Sequence, residues 1–258
     1  TAGSGGLLVG ASGSEAVAKA NGIHVKSYVD SDSTLNVGST TISAQTNLKQ
    51  NSKSGSYAGG LVGIGVAVND VTSTTTTHAY LGSNANVTGD SLSITATGSD
   101  DNYAESGAGA GGVVAGAGTR ANTTTNATTT AEIKDRAAAK TTRGKITLHS
   151  GTGAFTVGAT HTATVNGKNS VVAGGAFAGA GVESTHRVTS AVTASVGDRV
   201  TVSAKAIQIN ALNNLRKPSI GLNITGGSGG LASGADVTSE TYITFNTKKI
   251  FFCNLFTN

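Results

Sequence analysis

The side chains that could do acid–base or metal chemistry are few and scattered along this chain. Its five histidines stand at positions 24, 78, 149, 161 and 186. Measured against the repeat described below, His24, His78 and His186 precede a recurring apolar residue by 5, 3 and 10 positions. Because these offsets differ, the imidazoles do not form a stacked ladder that could bind metal ions. We therefore expect single histidines that are solvated or hydrogen-bonded.

Two short acidic segments could supply oxygen ligands for Ca²⁺. They are Asp30-Ser31-Asp32 and Ser99-Asp100-Asp101-Asn102. Neither has the ligand spacing of a calcium-binding loop, and exposed turn residues account for both more simply. We predict no bound cofactor and keep Ca²⁺ as the alternative.

Glycine-rich strings are frequent but do not have the form of a phosphate-binding loop. The string Gly107-Ala108-Gly109-Ala110-Gly111-Gly112 lacks the Gly-Lys-Ser/Thr ending and the helix that should follow it. Glycine here more simply permits tight corners and close packing. Since catalysis needs convergent groups of mixed type and the sequence offers few, we predict no catalytic residue and no enzyme.

The composition excludes several kinds of partner. Only 12% of the residues are charged, against about 25% in an average soluble domain. The net charge is +4, but the basic residues are scattered without aromatic platforms, so we predict no nucleic-acid partner. No apolar run approaches the about 18 residues of a membrane-spanning helix. The single cysteine, Cys253, excludes an internal disulfide.

The chain is built from an internal repeat. The marker isoleucines Ile42, Ile94, Ile146 and Ile209 follow one another at intervals of 52, 52 and 63 positions. Two further landmarks recur with them. An apolar residue lies 13 positions before each isoleucine, at Val29, Leu81, Ile133 and Val196, and a Gly-Gly pair ends at Gly6, Gly60, Gly112, Gly175 and Gly230.

The intervals between these landmarks separate a fixed block from a variable connection. From Gly-Gly pair to apolar landmark the interval is 23, 21, 21 and 21 positions in the four copies. The connection from isoleucine to the next pair is 18, 18, 29 and 21 positions. Fixed blocks with one variable connection are typical of a stacked repeat architecture whose insertions fall at one edge.

Within a block the side chains alternate with a period of two. From Val113 to Ile133, one set of alternate residues is small, apolar or hydroxylated, and the other set contains every charge and every amide. This is the pattern of a strand with one buried face. Each repeat is therefore predicted to contain a strand, a turn, a second strand and a loop. The alternatives are a disordered Gly/Ser/Thr-rich linker and an antiparallel all-β fold built from hairpins.

We predict an all-β, parallel β-solenoid with four full repeats and a partial fifth. The repeats begin near Gly5, Gly59, Gly111, Gly174 and Gly229 within one domain, residues 1–246. We favour one wide coil per repeat, which would stack Ile42, Ile94 and Ile146 in one column. The 11 extra residues of the third connection should protrude as a loop or hairpin around Gly151 to Gly167.

Several strings resemble the repeats of giant bacterial filamentous adhesins, the leukotoxin-like and haemagglutinin-like secreted proteins. The strings are Ala58-Gly59-Gly60-Leu61-Val62-Gly63-Ile64-Gly65-Val66-Ala67-Val68-Asn69, Thr77-His78-Ala79-Tyr80-Leu81 and Ser91-Leu92-Ser93-Ile94-Thr95-Ala96. The resemblance covers residues 1 to about 245. It implies an exported fibrous β-solenoid at the cell surface, which contacts other cells or glycans and has no common catalytic residue.

We predict a structural, non-enzymatic segment of an extracellular fibre or adhesin that stacks end to end. The chain begins at Thr1 and contains no methionine, so we expect a processed product or a piece of a longer polypeptide. Its last residues, 247–258, form an atypical apolar tail, in which Phe251, Phe252 and Phe256 are predicted to dock against a neighbour.

Three other functions remain as alternatives. An ice-binding solenoid would use ranks of threonines, such as those at 74–77, 123–125 and 128–130. The second alternative is a carbohydrate-binding solenoid, and the third is a β-helix polysaccharide-active enzyme. The enzyme would need a cluster of acids and bases on one face with aromatic platforms, and the chain has five tyrosines and no tryptophan.

Overall fold

The chain folds as a stack of wide parallel β coils, which confirms the predicted β-solenoid. In this computed structural model the described residues are 1–135, 144–149, 153–217 and 222–256, without the side chains of Arg199 and of residues 251–256. All strand pairs are parallel, and the described residues contain no helix.

Each of the first three coils contains two long strands and one short strand. In chain order the strands are β1 (Ala2–Gly5), β2 (Val9–Val29), β3 (Thr34–Asn36), β4 (Ser39–Gly59), β5 (Val62–Leu81), β6 (Asn86–Gly89), β7 (Ser91–Gly111), β8 (Val114–Ile133), β9 (Gly144–Leu148), β10 (Ala154–Gly174), β11 (Phe177–Ser203), β12 (Ala206–Arg216), β13 (Asn223–Gly229) and β14 (Ala232–Phe256).

The long strands form two facing sheets that share a narrow interior. The first sheet has the order β1-β4-β7-β10, and β12 and β13 both pair with β10. The second sheet has the order β2-β5-β8-β11-β14. The short strands continue this sheet, because β3 pairs with β6, β6 pairs with β9, and β9 pairs with the C-terminal end of β11. Successive coils therefore add one strand to each sheet.

The register confirms two of the three repeat landmarks. Leu81 pairs with Val29 on one side and with Ile133 on the other, and Ile133 pairs with Val196. At the opposite edge the Gly-Gly pairs stack as corners, where the Gly112 N–H donates to the carbonyl of Gly174. These residues are direct neighbours because one whole repeat makes one wide coil.

The predicted isoleucine column is wrong at its third member. Ile42 pairs with Ile94, but Ile94 then pairs with Val157, and Val157 pairs with Ile209. Ile146 belongs to the short-strand column, between Val87 and Val202. Its regular spacing from Ile94 arises because an insertion moves the short strand of the third coil along the sequence.

The location predicted for the 11 extra residues, around Gly151 to Gly167, is wrong for residues 154–167, and residues 151–152 lie outside the described residues. The whole of β10 pairs in register with β7, so residues 154–167 do not protrude. Ile146 lies 13 positions after Ile133, whereas its partner Val87 lies 6 positions after Leu81. Val157 lies 11 positions after Ile146, whereas its partner Ile94 lies 7 positions after Val87. The insertion therefore flanks β9, mostly at 136–143 and 150–152, which lie outside the described residues.

The predicted loop between copies is a strand. Residues such as Ser99 to Asn102 have turn-forming side chains, yet they lie inside β7, which runs for 21 residues. Parallel stacking explains the difference, because the coils on either side pair the backbone whatever the local propensity of the side chains.

The second glycine of each corner is required by the coil below it. A Cβ atom on Gly112 would collide with the carbonyl oxygen of Gly60, whereas a Cβ atom on Gly111 would meet nothing within 4 Å. Gly175 and Gly230 stand in the same relation to the glycines of the preceding corners. The second glycine recurs in the sequence because the backbones of neighbouring coils approach closely at each corner.

Substitution at the two glycines of one corner should therefore have unequal effects. We expect Gly112→Ala to lower the free energy of unfolding by about 1–3 kcal/mol, because the methyl group forces the backbones apart. Its neighbour supplies the matched control, since Gly111→Ala should stay within about 0.5 kcal/mol. Urea unfolding followed by circular dichroism measures both, and equal losses would contradict this account of the corner.

Candidate functional site

The interior has apolar ends and a polar middle. Near the short strands, large residues such as Leu92, Ile94 and Phe155 form one cluster. Near the Gly-Gly corners, alanines and valines form another. Between them lies a polar band whose fully buried members include Asn69, Asp100, Asn102, His161 and His186.

Amide side chains in this band join the two sheets. Asn69 Nδ2, on the second sheet, donates to the carbonyls of Ser52 and Glu105 on the first, at 2.6 and 2.9 Å. Asn169 Nδ2, on the first sheet, donates to the carbonyl of Glu183 at 2.6 Å. Because the sheets are close enough for one side chain to reach the opposite backbone, hydrogen bonds hold them together where large apolar groups do not fit.

A carboxyl group and an imidazole meet at the centre of this band. Asp100 Oδ2 and His161 Nε2 are 3.4 Å apart, and both side chains are 0% exposed. The Thr75 hydroxyl donates to Asp100 Oδ2 at 2.9 Å. Burial raises the pKa of Asp100 to about 6, although this hydrogen bond lowers it, and burial lowers the pKa of His161 to about 4. Between these pH values both groups are uncharged.

The ring of His161 occupies space left by a glycine in the adjacent coil. His161 pairs in register with Gly98. A Cβ atom on Gly98 would lie 2.6 Å from His161 Nδ1 and 2.8 Å from Thr129 Oγ1. A large and a small residue in successive coils therefore share one column.

The other buried histidine contacts two hydroxyl groups. His186 Nδ1 lies 2.7 Å from Thr123 Oγ1, and its Nε2 lies 2.9 Å from Ser184 Oγ. A serine beside a histidine can act as a nucleophile and base, but both side chains are buried between the sheets where no substrate reaches them. Burial also lowers the pKa of His186 to about 4. The arrangement is suited to packing and fits the expectation of a single hydrogen-bonded histidine, whose partner Thr123 lies in the neighbouring coil.

The remaining polar candidates are dispersed. His78 Nε2 contacts Glu132 Oε1 at 2.9 Å, and His149 Nδ1 contacts Asp90 Oδ1 at 2.7 Å. Within the described ranges, no three His, Cys, Asp or Glu side chains are grouped as a metal site.

Neither acidic segment brings its carboxylates together as calcium ligands. Asp100 and Asp101 are consecutive in β7 and point to opposite faces of the sheet, as strand geometry requires. In the other segment, Asp30 Oδ1 accepts the Ser31 N–H at 2.8 Å, and Asp32 Oδ1 accepts Asn84 Nδ2 at 3.1 Å. Both carboxylates therefore support a turn and its stacking on the next coil.

The threonine ranks are divided between the two faces of the second sheet. Thr75, Thr77, Thr123, Thr125 and Thr129 are buried in the interior. Their sequence neighbours face outward and form a grid, in which Thr72 pairs with Thr124 and Thr76 with Thr128. The ice-binding alternative therefore depends on the outward threonines alone.

The outer face of the second sheet also carries a shallow polar groove. Asp70, Asn122, Glu183 and Arg187 line it, and Asn122 Nδ2 donates to Asp70 Oδ1 at 2.8 Å. Tyr242 lies beside it, with Arg187 5.1 Å from the ring centre. This is the surface on which the carbohydrate-binding alternative would depend.

The predicted assembly phenylalanines lie in the last strand. Phe251 pairs with Val196 and Phe256 with Ser203, and Phe252 lies between them in β14. Their side chains lie outside the described part of the chain. Their docking against a neighbour stays a prediction.

The last strand leaves the interior open. Within the described residues β14 pairs with β11 alone. Its inward residues Val237, Ile243 and Phe245 are 47%, 46% and 37% exposed. By contrast, Val182 and Val188, the register partners of Val237 and Ile243, are buried. The core columns therefore continue into a strand that no other coil of the described residues covers.

Comparison with known proteins identifies no relative. No protein-family model, curated protein or solved structure matches this chain. The resemblance to filamentous adhesins thus rests on the repeat strings themselves and stays a prediction. The described residues include no helix long and apolar enough to cross a membrane.

Asp100 should destabilise the fold at high pH. Its folded-state pKa of about 6 exceeds the ordinary value of 3.8, so the stability from its protonated form is present at low pH and lost as pH rises through 6. We expect Asp100→Asn to raise the free energy of unfolding at pH 8 by about 1–3 kcal/mol. Urea titrations at pH 4 and pH 8 check it, with Asp236→Asn on an exposed strand as the control. No difference between the two variants at pH 8 would contradict the prediction.

The buried histidines should have the opposite effect. The folded-state pKa of His186, about 4, lies below the ordinary 6.5, so its stabilising neutral form is lost as pH falls from 6.5 towards 4. Between pH 7 and pH 4.5 the free energy of unfolding should fall by about 1–3 kcal/mol less in the His186→Gln variant than in the wild type. The exposed His24→Gln is the control, and a wild-type pH profile in the His186→Gln variant would refute the assignment.

Proposed function

We propose that this chain is a non-enzymatic structural segment of an extracellular fibre or adhesin whose coils continue from end to end. The observation that carries the proposal is the open apolar interior at both ends of the stack. Either the continuation of the same polypeptide or the next subunit would cover it.

At the β14 end, the uncovered surface combines apolar side chains with an unpaired backbone. Val237, Ile243 and Phe245 point inward and are about half exposed. Full burial of such a side chain contributes about 1.5–3 kcal/mol, so half of this is still to be gained at each position. The outer backbone edge of a strand of 25 residues can also accept another strand.

At the opposite end, β2 presents a related surface. Its inward residues Val25 and Val29 are only partly buried, whereas Leu81, the partner of Val29 in the next coil, is completely buried. Two different surfaces with the same strand direction favour head-to-tail contact. Contacts of this heterologous kind produce open filaments when they do not close.

The remaining parts of the proposal rest on surface chemistry. Each added coil lengthens the stack by about 4.8 Å, so repetition of the same coil produces a stiff rod. The residue types that catalysis needs are either buried in the polar band or dispersed over the faces. Low charge and the adhesin-like strings favour an exported location, where the outer groove or the threonine grid would face a cell surface or glycan.

Two adjacent residues of β14 test the stacking. In a stack, Ile243 faces the interior and Thr244 faces solvent. We expect Ile243→Lys to shorten the particles seen by electron microscopy, because the next coil would bury an unpaired ammonium group. Thr244→Lys adds the same charge in the same strand and should leave particle length unchanged.

The outcomes separate the parts of the proposal. Equal lengths for both variants, or a monodisperse monomer from the unaltered chain, would refute end-to-end assembly. Deleting residues 247–258 then tests the phenylalanine tail separately. Unchanged filaments would remove Phe251, Phe252 and Phe256 from the contact.

A further inference from the structure

The edge formed by the Gly-Gly corners contains no charged side chain in any coil. In each copy the residues on both sides of the corner are uncharged, over the described ranges 1–14, 54–69, 106–119, 169–182 and 222–235. Because the corners stack, these ranges form one continuous uncharged edge along the solenoid. A surface without charge over this length is unusual in a soluble protein, whose exposed faces normally mix both signs.

One large apolar side chain per coil projects from this edge. We name as the corner ridge the residues Leu7, Leu61, Val113, Phe177 and Leu231, which are 94%, 49%, 47%, 58% and 93% exposed. Leu61 and Val113 are aligned along the stack, since the Val113 N–H donates to the Leu61 carbonyl at 2.8 Å. Phe177 lies one position further along the chain, because it pairs in register with Val114 and Ala176 takes the place of Val113. The chain reverses at the corner, so these side chains cannot turn into the interior.

The faces beside the ridge are also apolar. Val9 and Val114 are exposed on the second sheet, and Tyr57 and Val172 on the first. The faces are flat because glycines occupy outward positions between these side chains. Gly116 and Gly179, for example, are register partners in neighbouring coils. A contiguous apolar patch of this kind marks an interaction surface.

We propose that the corner ridge is a lateral interface at which a second copy of this chain packs side by side. A partner along the whole ridge needs an apolar side chain at every coil spacing, about 4.8 Å. The ridge of a second copy has the same spacing of apolar side chains, because it has the same sequence and fold. The edge is also free of charge, so it can face itself without repulsion, as a two-fold interface requires.

The charges that border the edge favour a second copy over an anionic membrane. On the first sheet the bordering column is Lys53, Glu105 and Lys168, with Nζ–Oε distances of 2.7 and 3.7 Å from Glu105 to the two lysines. On the second sheet, Arg120 pairs in register with Glu183. These columns alternate in sign, whereas segments that bind anionic lipids are uniformly basic.

The area of the ridge predicts weak pairing that grows with length. A rise of about 4.8 Å and a contact width of about 20 Å bury about 100 Å² per coil. Five coils then bury about 500 Å² per partner, below the about 800 Å² of a stable complex. The buried area grows in proportion to the number of coils, so longer stacks would pair more tightly. This interface is separate from the proposed ends, because it changes the width of the particles and not their length.

The test compares two triple variants of the full chain over a concentration series. The ridge variant is Leu61→Ser, Val113→Ser and Phe177→Ser. The control is Val17→Ser, Val37→Ser and Leu212→Ser, which removes three apolar side chains of similar exposure, 48%, 47% and 51%, outside the uncharged edge. Small-angle scattering reports the mass per unit length. We expect this mass to double with concentration in the wild type and the control, and lateral affinity to fall about tenfold or more in the ridge variant.

A cysteine cross-link provides a second readout. With Cys253 replaced by serine, Val113→Cys lies on the middle coil of the ridge and should form an intermolecular disulfide under mild oxidation, whereas Val37→Cys should not. Equal mass per unit length in wild type and ridge variant at every concentration, together with no selective cross-link at residue 113, would overturn the proposal. Flotation of the wild type with phosphatidylcholine vesicles, lost in the ridge variant and without any doubling of mass, would also overturn it and assign the ridge to lipid.

Discussion

Every other feature of this structure depends on the in-register parallel stacking of one coil on the next. In such a stack each residue has its counterpart directly above and below at about 4.8 Å, so side chains must be compatible along columns as well as along the chain. At the corners the compatible residue is glycine, because a Cβ on Gly112 would strike the Gly60 carbonyl. In the interior, compatibility takes the form of size compensation, as where the ring of His161 fills the space beside Gly98.

The same stacking keeps the two sheets close together, and closeness explains the polar middle of the interior. Small side chains bury little apolar surface, so apolar contact alone holds the sheets less firmly there. Amides such as Asn69 and Asn169 replace it by donating to the opposite backbone. Asp100 sits in this band with a carboxyl group whose pKa burial raises to about 6. The band thus joins the two sheets, and its buried carboxyl and imidazole groups lead us to expect a stability that depends on pH.

Stacking also divides the surface of the solenoid into regions with different physical properties. The ends have the strand edges and the open core columns, of which Ile243 is an example. The corner edge has an uncharged ridge, and the outer face of the second sheet has the charges and the groove around Asp70 and Arg187. A fibre segment needs ends that continue and sides that meet a neighbour or a target. The regions are arranged in that way because each column repeats its chemistry from coil to coil.

The sequence by itself determined the architecture, since spacing and parity are properties of the chain. The Gly-Gly pairs and the landmarks Val29, Leu81, Ile133 and Val196 identified the coil length and the register, because a stacked repeat must preserve both. Alternation likewise identified the strands with a buried face.

Only the tertiary structure decided which residues share a column after an insertion and which side chains of neighbouring coils meet. Ile146 has the spacing of the isoleucine column but occupies the short-strand column, because the insertion on both sides of β9 changed the count without changing the stacking. Asp100 and His161 are distant in sequence and meet at 3.4 Å because β7 and β10 are neighbouring strands of the first sheet, in which Asp100 pairs with Ala163. Spacing along the chain reports order within a strand, whereas contact between coils depends on the register of the stack.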